Sequence, residues 1–512
     1  MSGDGVSVGG NVVDNADIVD VFHAPAGFSF TAFDTREITT PDGPVSLRYP
    51  RLDADVIHAL CDDVRKNRND CLASMPVNDI IDVLAKAVEL WTDPDYPLRR
   101  LAERLVPAIT GYDADMTRIE LKRYMRMFRR RELLRFVDDD LPCPQMLDEY
   151  RPNRSGGYTR LYGPDLSFHV FSSNVPGIPV WSMTMGLLVK SGIVGKSSFD
   201  EPLMPVLFAK SIREVDPELA DAIAVVPWKG GTEPLENAAI GEANAVIVYG
   251  SSHTTELLRP KVAESKPFLS YGARIGFSLV GRESLRADCY ESTIHHMAVD
   301  VATYDQQSCL AAQTVFVERG GVLAPHETAE LLAHELESQQ RKYPRSTPTQ
   351  EESLAIRRMR SSVEMMSLFA GGSGTGMADD GSGPFVIASP HGTDWTVLYY
   401  PDAASLPTPA SPLNRTITVV AVNDLADALP VMTPYRQWLQ SCGVAVDSTR
   451  LFPLAQRVGE LGIDRICPVG EMNRAKSGWH HDGGFNLLDL VRAVDVERGT
   501  DRFADSFDDD FE

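Results

Sequence analysis

Hydrophobic positions recur every three or four residues between 50 and 140. Leu52, Val56, Leu60 and Val64 form one stripe, and Ile80, Val83, Leu84 and Ala87 form another. That period predicts amphipathic helices. Near residue 155 the pattern changes. Short apolar runs at 166–172, 192–196, 222–227, 245–249, 267–271 and 276–280 read as strands. Helix-like segments at 180–191, 204–214 and from about 254 lie between them. A second series begins near Gly281. It has helices predicted at 292–301 and 327–340, strands at 314–317 and 417–422, and a Gly-rich loop at 379–384. Alternating strands and helices predict parallel, doubly wound sheets. The expected class is therefore α/β, with two doubly wound α/β domains and a helical N-terminal region. The chain divides into a loose tail over 1–27, a helical region with the first α/β domain over 28–278, a second domain over 279–485, and a C-terminal segment over 486–512 that ends in the acidic run DSFDDDFE.

Composition narrows the function. The 512 residues are 43% hydrophobic, enough for a large core and more than one domain. A net charge of −23 argues against binding nucleic acid, whose phosphates need a basic surface, and gives no support for an anionic membrane. One segment runs against this balance, KRYMRMFRRRELLR at 122–135. It reads as a basic helix, either a solvated face with arginines paired to neighbouring acids or a contact for an anionic ligand. The seven cysteines are widely spaced and form no CxxC. A disulfide framework and a structural zinc site are not expected, and a reducing cytoplasm is the simplest compartment. The first twenty residues lack a signal-peptide pattern. The most apolar stretch, 178–194, contains Lys190 and is too short to span a bilayer, so a soluble protein is expected.

Five places carry candidate chemistry. The predicted strand 245–249 runs into Gly250-Ser251-Ser252 before a helix, and such a turn offers backbone N–H groups and a hydroxyl to an anion. Many α/β turns hold Gly-Ser for steric reasons alone, and the G-x-G-x-x-G fingerprint is absent. Lys196, with Ser197 and Ser198, leaves the end of another strand, where it reaches ribose or phosphate or is an ordinary surface lysine. Cys309, in DQQSC, lies in a polar loop before an apolar strand. Free cysteines are most often small buried hydrophobes, but such a loop is also where a nucleophilic thiol sits. Asn174, in SSNVP, either donates its amide N–H to an oxyanion or is a turn residue before proline. His480, His481 and Asp482 suggest a metal or a proton relay. Adjacent side chains diverge, so no metal is expected.

Taken in order, Asn-x-Pro, Lys-Ser-Ser, a strand ending in Gly-Ser and a Cys loop resemble the aldehyde dehydrogenase superfamily. Within it the chain resembles the acyl-CoA reductase family of the bioluminescence fatty acid reductase, LuxC. The matching stretches are SNVP (173–176), YGS (249–251), DQQSC (305–309), GIDRICPV (462–469) and WHHDG (479–483). The similarity covers roughly 50–495. Leu310-Ala311-Ala312-Gln313 and His480 depart from the family pattern.

The resemblance implies a cofactor-binding first domain and a catalytic second one. It implies Cys309 as nucleophile and Asn174 as oxyanion donor, with His481 and Asp482 orienting the site or relaying a proton. Lys196, Ser198, Gly250 and Ser251 would hold the cofactor. The implied reaction is NADPH-dependent reduction of an acyl thioester, such as a fatty acyl-CoA or an acyl-carrier thioester, to an aldehyde. NADPH is preferred over NADH because Phe199 stands where NAD-preferring relatives often carry a carboxylate. The glutamate that activates water in oxidising relatives is missing from the matching segment Ser270-Tyr271-Gly272-Ala273-Arg274. That absence would protect an acyl-enzyme from hydrolysis. The rivals are an aldehyde dehydrogenase working in the oxidative direction and a non-reducing acyl-binding or scaffold subunit. A homo-oligomer or an acyl-transferring partner enzyme is also in keeping with the family.

Overall fold

The computed structural model describes residues 17–369 and 381–500. Strands β1 (Asp17–Asp20), β2 (Phe33–Thr40) and β3 (Gly43–Pro50) form a small sheet in which β2 and β3 are an antiparallel hairpin and β1 runs parallel to β3. After a helical region come β4 (Arg151–Pro152) and β5 (Tyr158–Tyr162). The first large sheet holds β6 (Leu166–Val170), β7 (Gly192–Ser197), β8 (Ile223–Pro227), β9 (Ala245–Tyr249) and β10 (Phe268–Tyr271), all parallel, in the order β10-β9-β6-β7-β8. The second holds β11 (Ile275–Val280), β12 (Ala312–Glu318), β13 (Phe385–Ala388), β14 (Thr396–Tyr400), β15 (Thr416–Val422), β16 (Leu439–Ala445) and β17 (Arg465–Pro468). Its order is β13-β14-β15-β12-β11-β16-β17, with only β13 antiparallel. Finally, β18 (Arg492–Val496) pairs antiparallel with β5, across which β4 also pairs.

The sequence makes sheets of this kind because β6, β8, β9, β12, β14 and β15 are buried at every position. A strand covered on both faces reads as a continuous apolar run rather than as an alternation. In the first sheet, Ile193, Val225 and Ile247 face one core with the helices Val77–Leu90, Ile178–Leu188 and Leu203–Val215. Val194, Val226 and Val246 face the other, with Ala54–Asn67 and Glu233–Glu242. Of the predicted stripes, Leu60, Val64, Ile80, Leu84 and Ala87 are buried, Val56 and Val83 are half-buried, and Leu52 precedes the helix Ala54–Asn67, which Asp53 caps by accepting the Val56 N–H at 2.8 Å. Among the described residues, no helix is long and apolar enough to cross a membrane.

The structure departs from expectation in four places. Of the predicted 1–27 tail, 1–16 lie outside the described residues, but 17–20 form β1, and His23 bridges backbone to backbone with Val225. The division expected between 278 and 279 falls inside β11, which sits between β12 and β16; the first sheet ends at Tyr271. The basic stretch is not one helix. Helices Ala114–Met125 and Arg130–Asp140 flank a 3-10 turn, Arg126–Phe128. The segment after 486 contributes β18, while 501–512 lie outside the described residues, as do 379 and 380 of the Gly-rich loop.

Candidate active site

Both large sheets reverse their strand order next to the first strand laid down, between β6 and β9 in one and between β11 and β16 in the other. Clefts form at such switch points. Here the carboxyl ends of β6, β7 and β9 face the amino ends of β11 and β12 across a cleft of about 500 Å³. Seven sequence-predicted residues line it: Asn174, Lys196, Ser198, Gly250, Ser251, Cys309 and His481. The eighth, Asp482, lies behind the wall and holds it.

The DQQSC segment places the thiol. Tyr304, Asp305 and Gln306 are consecutive left-handed residues, with φ of 51°, 51° and 67°. Each costs on the order of 1–3 kcal/mol, so the surroundings must enforce the turn. Asp305 does so through a buried ion pair with Arg415 at 2.7 Å and by accepting from Ser346 N and Oγ. Gln306 donates to the Ala312 and Thr416 carbonyls at 2.6 and 2.9 Å and accepts from Thr416 N at 2.8 Å. The Gln307 carbonyl accepts from Asn174 Nδ2 at 2.8 Å, tying the oxyanion candidate to the thiol loop. Half-buried Cys309 follows, just before β12.

A second, apolar pocket of about 50 Å³ also reaches Cys309. Its walls include Tyr124, Met127, Trp181, Leu310 and Trp479, and it shares Ile178, Tyr249, Ser308, Cys309 and His481 with the cleft. Arg465 in β17 fixes one wall by donating to the carbonyls of Glu471, Met472 and Arg474. The sulfur thus stands where a polar and an apolar space meet.

Electrostatics around the thiol are opposed. Burial pushes the Cys309 thiol up to about 12, and Asp482 adds to this; the Arg274 cation and a hydrogen bond from Gln440 pull it back. Asp482 is fully engaged, by Arg274 at 2.6 and 3.2 Å on one oxygen and by Gln440 Nε2 on the other. It therefore anchors Arg274 and Gln440 rather than standing free to relay a proton. His481 stacks on Tyr271, with ring centroids 4.1 Å apart, and burial pushes it down to about 4, so it is neutral at pH 7. Its Nε2 has no hydrogen-bond partner among the described residues. His480 instead meets Phe485, away from His481's stack. Among the described residues no three His, Cys, Asp or Glu side chains gather as a metal site.

The other end of the cleft is built around Lys196. Lys196 also lines an adjoining cavity of about 360 Å³ with Trp228, Gly231, Glu236 and Leu257. Ser251 caps the helix Ser252–Leu258, its Oγ accepting the Thr254 N–H at 3.3 Å. Ser172 Oγ and Asn174 Oδ1 are buried with no partner among the described residues, so the cleft has polar groups left for a ligand. Asp200 also lines it and turns back so that its N–H reaches Ser198 Oγ. Burial pushes the Lys196 ammonium down, while Glu236 and Asp200 pull it up.

Sequence patterning did not reveal Arg274, Gln440 or Asp200. Gln440 left one signal, a polar side chain inside the strand sequence LQSCGVA, buried in β16. Phe199 does not line the cleft, whereas the next residue, Asp200, does.

This pair of facing doubly wound sheets with a thiol loop between them is the fold of the aldehyde dehydrogenase superfamily. PnpE bound to nicotinamide adenine dinucleotide superposes with a TM-score of 0.67 at 16% identity, covering 93% of this chain and 96% of that one. The NAD-dependent benzaldehyde dehydrogenase of Corynebacterium glutamicum gives 0.66 at 13%, covering 93% and 98%. The chain belongs to the acyl-CoA reductase (LuxC) family, whose model matches residues 72–493, and it is therefore an oxidoreductase. The long-chain acyl-protein thioester reductase of Aliivibrio fischeri is 24% identical over 432 residues, covering 83% of each chain. Its counterpart, reductase 2 of Photobacterium leiognathi, is 23% identical over 428 residues, again covering 83% of each.

Proposed function

We propose that the chain reduces an acyl thioester to an aldehyde through an acyl-cysteine on Cys309. The observation that carries this is the sulfur's position at the junction of the polar cleft and the apolar pocket. The acyl donor approaches from the apolar side, where its chain meets Trp181, Leu310 and Trp479. A long chain requires those walls to shift, and Met127 is the adaptable one.

His481, neutral and with Nε2 unpartnered among the described residues, lines both pockets beside Cys309 and orients the site, and the thiol proton passes to the departing carrier sulfur. The thiolate attacks the carbonyl carbon, the donor's C–S bond breaks, and the carrier thiol leaves with a proton. The second Asn174 amide N–H and the Cys309 backbone N–H stabilise the oxyanion. When bound, the reduced nicotinamide supplies hydride to the acyl carbon. The resulting hemithioacetal collapses, breaking the bond to sulfur and releasing aldehyde. Arg274 and Gln440 steady the sulfur's charge throughout, and Asp482 holds both in place. Lys196, Ser198, Gly250 and Ser251 would hold the cofactor.

The lining residues Cys309, Asn174, Gln307, Arg274 and Gln313 include no carboxylate, and Asp200 belongs to the Lys196 end. No carboxylate lines the cleft near the thiol to activate water against the acyl-enzyme, which favours reduction over oxidation to acid. NADPH is the cofactor the family resemblance favours. Asp200 beside Lys196 favours NADH, because it would repel a 2′-phosphate.

Incubation with a long-chain acyl thioester should add one acyl mass to the intact protein without any cofactor. Subsequent NADPH or NADH should release aldehyde, and the two nucleotides' fluorescence titrations should rank them. Cys309→Ala should bind nucleotide normally but form neither adduct nor aldehyde. An active Cys309→Ala would end this assignment.

A further inference from the structure

We propose that the exposed basic face over residues 122–131 docks an acidic carrier protein that brings the acyl thioester to Cys309. This rests on the assignment of Cys309 as acyl acceptor. In a chain of net charge −23, the fourteen residues 122–135 hold seven Lys and Arg against one Glu. All seven cations are exposed. Four are committed: Arg123 to Glu120, Arg130 to Asp82, and Arg131 and Arg135 to Glu132. Lys122, Arg126 and Arg129 have no carboxylate partner among the described residues. Neutralising neighbours therefore account for only part of the cluster.

Its location gives the charge a purpose. Arg123 and Arg126 flank Tyr124 and Met127, which line the apolar pocket at the sulfur. The facing wall carries exposed Lys476 between Ala475, also a pocket residue, and Ser477, whose hydroxyl donates to the Met127 carbonyl. Positive charge thus comes from both sides of the pocket wall. Asp138 and Asp139 end the second helix, and the Asp139 carboxylate lies against Gly478, so the three cations without a carboxylate partner outnumber the acid that comes closest to this wall. Such a patch steers an acidic protein toward its port and sets register more than it adds contact area. Lys196 lines the cleft and not the apolar pocket walled by Tyr124 and Met127, so the carrier and the nicotinamide need not compete.

The test uses full-length protein and a purified, fluorescently labelled acyl carrier protein loaded with palmitate. Binding to wild type should weaken steeply as salt rises. Arg126→Glu together with Arg129→Glu should weaken binding at least about tenfold and raise KM for the carrier thioester without lowering kcat. Palmitoyl-N-acetylcysteamine, which is uncharged, should be reduced equally by both proteins. Equal carrier binding by variant and wild type would overturn the proposal. So would an equal loss toward palmitoyl-coenzyme A and the carrier, because the patch would then serve a small phosphate ligand. Failure to reduce any thioester would sink the reductase assignment instead, while the binding titration would still decide the docking face.

Discussion

At Cys309 the surroundings hold the sulfur protonated until a donor arrives. With the thiol pushed up to about 12, its alkylation by iodoacetamide should be slow at neutral pH and keep climbing beyond pH 9. Arg274→Gln removes the cation that pulls the thiol down and should slow alkylation further at every pH; peptide mass spectrometry of the 309 site reads both. Glu201, next to the cleft carboxylate Asp200, shows the same logic in stability. One of its oxygens accepts the Leu203 and Met204 N–H groups at 3.0 Å, the other is buried without a partner among the described residues, and burial pushes the carboxyl up to about 7. A carboxyl raised above its ordinary 4.5 contributes fully below that value, and the contribution is lost as pH rises through about 7. Glu201→Gln keeps the accepting oxygen and cannot ionise. It should leave Tm near wild type at about pH 5 and raise it by about 2 °C or more at about pH 8.

The loop after β17 shows how one element serves a site without touching the chemistry. Arg465→Ala removes the donor to three carbonyls and frees the pocket wall that carries Asn473, Ala475 and Trp479. Acyl transfer to Cys309 should fall about tenfold or more, while nucleotide titration stays unchanged. The same contrast explains what the sequence displays at this scale. Strands such as 245–249 were legible because burial on both faces writes an unbroken apolar run. The helix Ile178–Leu188 was legible for the same reason. The β2–β3 hairpin was not, because β2 is mostly exposed and reads FDTREITT. β16 hid behind its Gln and Ser, and helices Gln350–Phe369 and Ser448–Leu461 behind charged faces, the latter with Pro453 inside. In the site, Cys309, Asn174 and Lys196 sit in short motifs, whereas the Arg274–Asp482 pair joins residues 208 positions apart. Local pattern carries no trace of such a pairing.

Across the whole molecule, the thiol loop is held to the second sheet by the buried Asp305–Arg415 ion pair together with the Gln306 hydrogen bonds to Ala312 and Thr416. Arg415→Met would leave Asp305 charged and uncompensated, with a loss of about 3–5 kcal/mol in stability. Thermal unfolding should drop accordingly, and iodoacetamide should reach Cys309 faster as the left-handed turn relaxes. The pairing of β18 with β5 spans still more of the chain: Arg492 lies opposite Tyr162 and Val496 opposite Tyr158. During synthesis, β5 emerges from the ribosome more than three hundred residues before the strand that covers it. Its edge must stay open over that interval, presenting unmatched backbone groups to any other nascent chain. Strand β18 thus closes a seam begun far upstream, and yield in a cell should depend on how well chaperones shield that interval.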